Sequence, residues 1–299
     1  MTAVPFDDRD GWIWFDGALV PWRDASLHVL THGLHYASAV FEGERSYGGT
    51  IFRLRDHTNR LHASARVLGF DIPWSADQID AACAAVVPAN GLTDAYVRPI
   101  AWRGAEALGV SPAGTSVHLA IAAWDWPSYY GAERMRGIRV AEALWRRPAP
   151  DTAPTTAKCT GLYTIGTLAK QAAEAEGCAD ALMLDWRGLV AETTGANIFL
   201  VIDGDLHTPR PEGFLDGITR RTVMGLAQRH QMRVVERPIE AAELARASEV
   251  FLAGTAAEVT AVRTIGGHIY TPGVITETLM RDYDALVKQP PVEVARLLA

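Results

Sequence analysis

The sequence predicts two mixed domains of the α+β / α/β kind, and three observations carry that expectation. Residues 1–127 read as short β-like runs around one pair of amphipathic helices. Between Ser128 and Arg136 the hydrophobic periodicity lapses, as expected of an interdomain loop over 128–136. Residues 137–299 then alternate helices with a strand meander, giving a second domain that contains Lys158.

The first domain opens on a hairpin. Trp12-Ile13-Trp14-Phe15 and Ala18-Leu19-Val20 flank Asp16-Gly17, a dipeptide that tolerates the positive φ angles of a two-residue turn. Val40-Phe41 and Thr50-Ile51-Phe52-Arg53 flank Gly48-Gly49 and predict a second hairpin. Leu61, Ala65 and Leu68 place a helix over Asp56–Gly69. Ser75 caps another that carries Ile79, Ala82, Cys83 and Val86 to about Val87. Strands follow at Ala95–Ile100 and Val117–Trp124.

In the second domain Gly137–Leu144 reads as a strand and Arg146–Thr156 as a proline-bearing loop. Leu162–Glu176 reads as a helix stopped by Gly177. A meander over Ala181–Leu184, Leu189–Ala191 and Ile198–Ile202 precedes a turn at Asp203-Gly204. Gly217 opens a helix through His230. Strands at Arg233–Val235 and Val250–Leu252 bracket a short helix, Thr278–Val287 closes the fold, and the last residues read as a loose tail.

Composition narrows the function. With 28 basic and 35 acidic residues the net charge is −7, which argues against nonspecific nucleic-acid binding. No apolar run reaches the length of a membrane span, and the acidic Asp7-Asp8-Arg9-Asp10 opening is unlike a signal peptide. Three cysteines without a close pair argue against a disulfide framework and fit a reducing, cytoplasmic setting. His28, His32 and His35 have helical spacing for metal ligands, but Gly33 interrupts it and no acidic base lies between the first two. Structural histidines are the simpler reading, and no metal site is expected. The serine-hydrolase elbow, the P-loop and the dinucleotide fingerprint are all absent.

Only Lys158, Lys170 and Lys288 could supply lysine chemistry. Lys288 precedes Pro290-Pro291, and Lys170 sits among Gln171 and Glu174, both surface patterns. Lys158 lies in the small-residue junction Thr155-Thr156-Ala157-Lys158-Cys159-Thr160-Gly161, where an amine can face a cleft and form a Schiff base. Glu192 lies among small residues that let it approach a ligand, although a loop acid bound to backbone amides has the same pattern. Gly217-Ile218-Thr219-Arg220 opens a helix whose free N–H groups favour an anion, as every helix start does. Lysine, carboxylate and phosphate-ready helix end are together what pyridoxal phosphate requires.

Longer motifs sharpen this. Trp14-Phe15-Asp16-Gly17, His32-Gly33-Leu34-His35-Tyr36 and Val40-Phe41-Glu42-Gly43 are followed by His57-Thr58-Asn59-Arg60-Leu61 and Tyr96-Val97-Arg98-Pro99. Then come Glu192-x-Thr194-x-x-Asn197-Ile198-Phe199, Leu206-x-Thr208, Gly217-Ile218-Thr219-Arg220 and Gly254-Thr255-Ala256-Ala257-Glu258. In this order and over nearly the whole chain, they resemble the fold-type IV pyridoxal-phosphate aminotransferases, and most closely the branched-chain amino acid aminotransferases.

The resemblance implies a D-amino acid aminotransferase-like fold and the cofactor pyridoxal 5'-phosphate. It implies that Lys158 holds the cofactor covalently and is the catalytic residue, and that Glu192 pairs with the pyridine nitrogen. By the same resemblance Arg60, Ile218, Thr219 and Thr255 hold the phosphate and Tyr163 reaches the phenolic oxygen. Tyr36, Phe41, Trp126 and Tyr129 would wall an apolar pocket, and Thr255 and Ala256 would offer N–H groups to the α-carboxylate. Tyr96 and Arg98 would receive the distal carboxylate of glutamate. The implied reaction is ping-pong transamination of L-leucine, L-isoleucine or L-valine with 2-oxoglutarate, in a homodimer or higher homo-oligomer.

Three positions depart from the family pattern: Glu44, where relatives usually carry an aliphatic residue, Asp125, and the Thr193-Thr194-Gly195-Ala196 run. The rivals are a D-amino acid or (R)-amine aminotransferase or an aminodeoxychorismate lyase of the same fold. A noncatalytic histidine-metal binding protein is the rival from another class.

Overall fold

The computed structural model describes residues 4–126, 130–131 and 133–298. The chain divides into two units, one of Met1–Trp126 with Ala157–Gly161 and the other of Pro127–Thr156 with Leu162–Ala299.

The first unit is α+β. Its strands are β1 (Trp12–Phe15), β2 (Ala18–Pro21), β3 (Ala39–Phe41), β4 (Glu44–Tyr47), β5 (Thr50–Ile51), β6 (Ala95–Arg103) and β7 (Val117–Trp124). They form one antiparallel sheet in the order β2-β1-β7-β6-β4-β5, with β3 on β6. Its helices are α1 (His32–Tyr36), α2 (Leu54–Val67) and α3 (Ala76–Ala89). The β1–β2 turn has the expected conformation, with φ of 47° at Asp16 and 106° at Gly17. Ser75 caps α3 in a capping box with Gln78, which satisfies two backbone donors reciprocally.

Two local expectations are corrected here. The Gly48-Gly49 turn joins β4 to β5, with Tyr47 opposite Thr50, while Val40 and Phe41 pair with Ala101 and Ile100 of β6. The apolar run at residues 40–41 is therefore not the partner of Thr50–Arg53; Gly43 intervenes and β4 takes that place. Helix α2 also begins two residues earlier than its periodicity indicates.

The second unit is larger and mixed. It contains α4 (Glu133–Arg136), β8 (Ile138–Glu142), α5 (Tyr163–Ala175), β9 (Asp180–Leu184), β10 (Val190–Thr193), β11 (Asn197–Ile202) and β12 (Asp205–Pro209). After these come α6 (Ile218–Arg229), β13 (Val234–Arg237), β14 (Glu249–Gly254), β15 (Glu258–Ile265), β16 (His268–Ile269), α7 (Val274–Leu286) and α8 (Pro291–Leu298). The sheet runs β10-β9-β8-β15-β14-β11-β12-β13, and a further pairing of β10 with β11 closes its first six strands into a ring. That closure is made at Glu192 and Asn197. Closing the ring removes two strand edges and encloses a core that includes Ile138, Val140, Leu182, Val190, Ile198, Leu200, Val250, Leu252 and Val262.

Here the structure also departs from the sequence reading. Glu133–Arg136 is helical, within the stretch expected to be an irregular loop. The final residues form helix α8 rather than a loose tail, with Val294 buried. Lys158 was expected in the second domain, but Ala157–Gly161 belongs to the first unit. The cause is backbone pairing. Val40 bridges Cys159, the Phe41 N–H donates to the Lys158 carbonyl at 3.0 Å, and the Lys158 N–H donates to Ser64 Oγ at 3.0 Å. Among the described residues no helix is long and apolar enough to cross a membrane.

Candidate active site

In the first unit the site is built on α2 and on the strand segment before it. His57, Arg60, Leu61 and Ser64 recur at helical spacing on α2, and that face meets Glu42 and the Lys158 backbone. Glu42 is completely buried and accepts from Arg60 Nε at 2.7 Å, Arg60 Nη2 at 2.8 Å and His57 Nδ1 at 2.7 Å. Burial would raise its carboxyl, but the Arg60 guanidinium and the His57 ring hold it well below the usual carboxylate range. Burial pushes His57 down against the opposing pull of Glu42, so a neutral imidazole donates its Nδ1–H to the carboxylate.

Lys158 projects over Phe41, its Nζ 5.0 Å from the ring centroid, and the Arg98 guanidinium lies 4.8 Å from the same centroid. Arg98 Nη2 donates to Tyr96 Oη at 3.1 Å. Tyr96 in turn packs against Trp126 and Trp124, with centroids 5.3 Å and 5.1 Å away. The amine, an apolar wall and a guanidinium are thus assembled within one unit. Tyr36 ends α1 in a half-exposed position beside His32. Tyr129 lies outside the described residues.

Each histidine of the run makes a local contact. His32 is buried with Nδ1 on Ser38 Oγ, His35 Nε2 contacts the Val29 carbonyl, and His28 Nδ1 accepts from the Leu30 N–H. Lys170 is less exposed than its helical pattern implies, because its Nζ donates to the Ala179 carbonyl.

Glu44 is the departure that the structure makes most visible. It is fully buried beside the Cys83 thiol, and neither carboxyl oxygen has a conventional hydrogen-bond partner. Burial, reinforced by the nearby Glu42 charge, pushes its carboxyl well above the usual range. The folded state therefore favours the protonated group. The associated stability is complete below the unfolded carboxyl pKa and is lost as pH rises toward the folded value. Glu44→Gln should gain stability relative to the wild type as pH goes from 5 to 8, by at most about 1.4 kcal/mol per pH unit. Urea unfolding at several pH values checks this, and a difference independent of pH would refute it.

In the second unit three signature segments meet at Asn197. Asn197 pairs with Glu192 across the ring closure, and its Nδ2 lies 3.4 Å from Glu192 Oε2 and 3.0 Å from the Leu215 carbonyl. Its Oδ1 rests on Gly217, where an added Cβ would sit only 2.2 Å away. Asn197 also pairs with Ala253, next to Gly254, whose own missing Cβ leaves room for Ala196. Helix α6 starts at Gly217 without a side-chain cap, and Ile218 and Thr219 are buried in its first turn. Thr255 and Ala256 form the turn between β14 and β15. Tyr163 is the first residue of α5 and is half-buried.

Arg220, the last residue of its motif, anchors the start of α6. It is 1% exposed and bonds Asp216, Glu236, the Pro209 carbonyl and Thr208 Oγ1, which explains the Leu206-x-Thr208 element as well. Sequence reasoning missed Arg147. It is buried, with Nε 3.4 Å from Glu192 Oε1, so a cation adjoins the carboxylate. No local pattern marks it, since 45 positions separate the two residues and only the sheet brings them together.

A lysine amine over an aromatic wall, a carboxylate beside a buried arginine, and an uncapped helix start with buried small residues fit a pyridoxal-phosphate enzyme class. The comparisons agree. The amino-transferase class IV family matches residues 39–265, and the chain belongs to that family. It is 45% identical over 288 residues to the branched-chain-amino-acid aminotransferase of Pseudomonas aeruginosa, covering 94% of each protein. The T.th. branched-chain amino acid aminotransferase with pyridoxamine 5'-phosphate superposes with a TM-score of 0.92 at 38% identity, covering 97% of this chain and 98% of that one. The same enzyme complexed with N-(5'-phosphopyridoxyl)-L-glutamate gives a TM-score of 0.90 at 37% identity, with the same coverage.

Proposed function

We propose that this protein is a pyridoxal-phosphate-dependent aminotransferase that exchanges the amino group of L-leucine, L-isoleucine or L-valine with 2-oxoglutarate. One observation carries the reading. Lys158 and Arg98 lie about 5 Å from the same Phe41 ring, so an amine, an apolar surface and a carboxylate receptor share one place. The family membership and the named relatives support the same reaction.

The residues present fit the cofactor. Lys158 would hold it covalently. The uncapped N–H groups at Ile218 and Thr219, with Thr255 and the Arg60 cation that Glu42 fixes, suit a phosphate dianion. Glu192, flanked by Arg147 and Asn197, suits a protonated pyridine nitrogen, and Tyr163 suits the phenolic oxygen. Bound, the cofactor supplies an electron-withdrawing ring that delocalises the charge left at a substrate Cα on loss of its proton.

This chain's residues do the remaining work. The Lys158 amine takes and returns the Cα proton, a transfer that positioned groups accelerate by about 10²–10⁴-fold. The Thr255 and Ala256 N–H groups orient the substrate α-carboxylate. Phe41, Trp126 and Tyr36 exclude water around an aliphatic side chain, and Tyr96 with Arg98 takes a distal carboxylate in its place. The enzyme acts as a homodimer or larger homo-oligomer in the cytoplasm. The exposed apolar side chains of Leu27, Val29, Leu30, Leu34 and Tyr36 support the assembly, and three cysteines that form no disulfide among the described residues support the compartment.

The test is the absorption spectrum and turnover of the purified protein. A visible cofactor band should disappear on adding L-leucine and return with 2-oxoglutarate. Rates with L-leucine should exceed those with D-alanine and (R)-1-phenylethylamine. The opposite order would replace this reading with a D-amino acid or (R)-amine enzyme.

A further inference from the structure

The strand around β4 alternates between two faces. Glu42, Glu44 and Ser46 are fully buried on the side of α2 and α3, where Glu42 meets His57 and Arg60 and Glu44 meets Cys83. Gly43, Arg45 and Tyr47 belong to the other face. Arg45 is directly opposite Tyr96, and Tyr96 is directly opposite Trp124, so these side chains rise from the same side of the sheet, as does Arg98 two residues along β6. Gly43 makes room for the group at their centre, since an added Cβ would lie 2.0 Å from Tyr96 Oη.

Arg45 is anomalous on this face. It is only 7% exposed, yet its Nε and Nη1 are buried without a hydrogen-bond partner, and its contact is the Tyr47 ring, 5.2 Å away. Among the described residues no carboxylate pairs with Arg45 or with Arg98. Arg98 Nε and Trp124 Nε1 are likewise buried without partners. Arg98 is half-buried and keeps its bond to Tyr96 Oη, but a buried guanidinium such as that of Arg45 is costly without a partner and is retained where something compensates it. Every unsatisfied group here is a donor, so the missing component is an acceptor with several lone pairs, and a planar carboxylate matches the guanidinium forks.

We propose that Arg45 acts with Arg98 as a two-arginine receptor for the carboxylate remote from the reacting carbon, making Arg45 a specificity-determining residue for dicarboxylic substrates such as 2-oxoglutarate and glutamate. The inference rests on the aminotransferase reading above. An aliphatic side chain supplies no oxygen to these donors, so the two halves of the reaction depend on Arg45 unequally.

Arg45→Met and Arg45→Lys holoenzymes test this. Single-turnover reactions follow the cofactor absorbance, with 2-oxoglutarate or 4-methyl-2-oxopentanoate in one direction and L-leucine in the other. Arg45→Met should weaken the 2-oxoglutarate reaction by about 10- to 100-fold while the branched substrates lose no more than about threefold, with Arg45→Lys in between. Glutarate, a dicarboxylate that cannot react, should raise the melting temperature of the wild type and not that of Arg45→Met. Equal losses for both substrate types, or glutarate stabilisation undiminished in the variant, would overturn the proposal. If Arg45→Met fails to fold, an unshifted substrate ratio in Arg45→Lys overturns it too. A wild type that cannot use L-leucine with 2-oxoglutarate defeats the aminotransferase reading itself, whereas a working wild type with an unshifted ratio defeats only the role of Arg45.

Discussion

Lys158→Ala should lose transamination by on the order of 10³-fold or more and should show no visible cofactor band. The expectation is large because, in the proposed mechanism, one amine would both anchor the cofactor and move the Cα proton. The other two lysines are placed elsewhere, Lys170 on the Ala179 carbonyl and Lys288 exposed near the C-terminus. The fold should survive, because the backbone bonds that hold this segment, to Ser64 Oγ and from the Phe41 N–H, do not involve the side chain. Loss of the Nζ contact with the Phe41 ring should cost no more than about 1 kcal/mol. Absorption spectra and turnover check the first part, and thermal unfolding checks the second. A variant that keeps both band and turnover would remove Lys158 from the mechanism.

Glu42→Gln should be the most destabilising of the single changes considered, at about 3–5 kcal/mol. The carboxylate is fully buried and compensates Arg60 bidentately while accepting from His57. Removing its charge leaves a partly buried guanidinium without its counter-ion. Arg60→Met on the Glu42→Gln background should recover part of the loss, since both members of the pair are then gone. The pH dependence has the opposite sign to that of Glu44. Glu42 is held low in the folded state, so its contribution is present above the unfolded carboxyl pKa and is lost as pH falls toward the folded value. Denaturant unfolding from pH 7 down to pH 3 should show a steeper loss for the wild type than for Glu42→Gln. A cost below about 1 kcal/mol would mean that Arg60 finds another partner. Weaker cofactor retention in the same variant would tie Glu42 to the positioning of Arg60.

The contrast between Glu42 and Glu44 shows how far sequence reading reaches. Both are acids two residues apart in one short segment, and nothing local separates them. In the structure one accepts from Arg60 and His57, and the other is buried beside a thiol without an ion pair among the described residues. Arg45, between them, reads as one more arginine among 25 until strand pairing puts it opposite Tyr96. Arg147 is similar, because its relation to Glu192 is made across strands that are distant in sequence.

The amino-acid sequence by itself determined what depends on neighbours along the chain. The Asp16-Gly17 turn, the Ser75 capping box and the Gly217 helix start all follow from φ preferences, capping chemistry and local setting. The ordered motifs added the family, including Asn197, Gly217 and Gly254, whose common purpose is visible only where they meet. Tertiary structure alone decided that β3 pairs with β6, that Ala157–Gly161 joins the first unit, that the ring closes at Glu192 and Asn197, and which acids and arginines are compensated. The physical reason is one of range. Backbone preference and side-chain periodicity act over a few residues, whereas strand pairing and burial of charge are settled by which distant segments close the sheet.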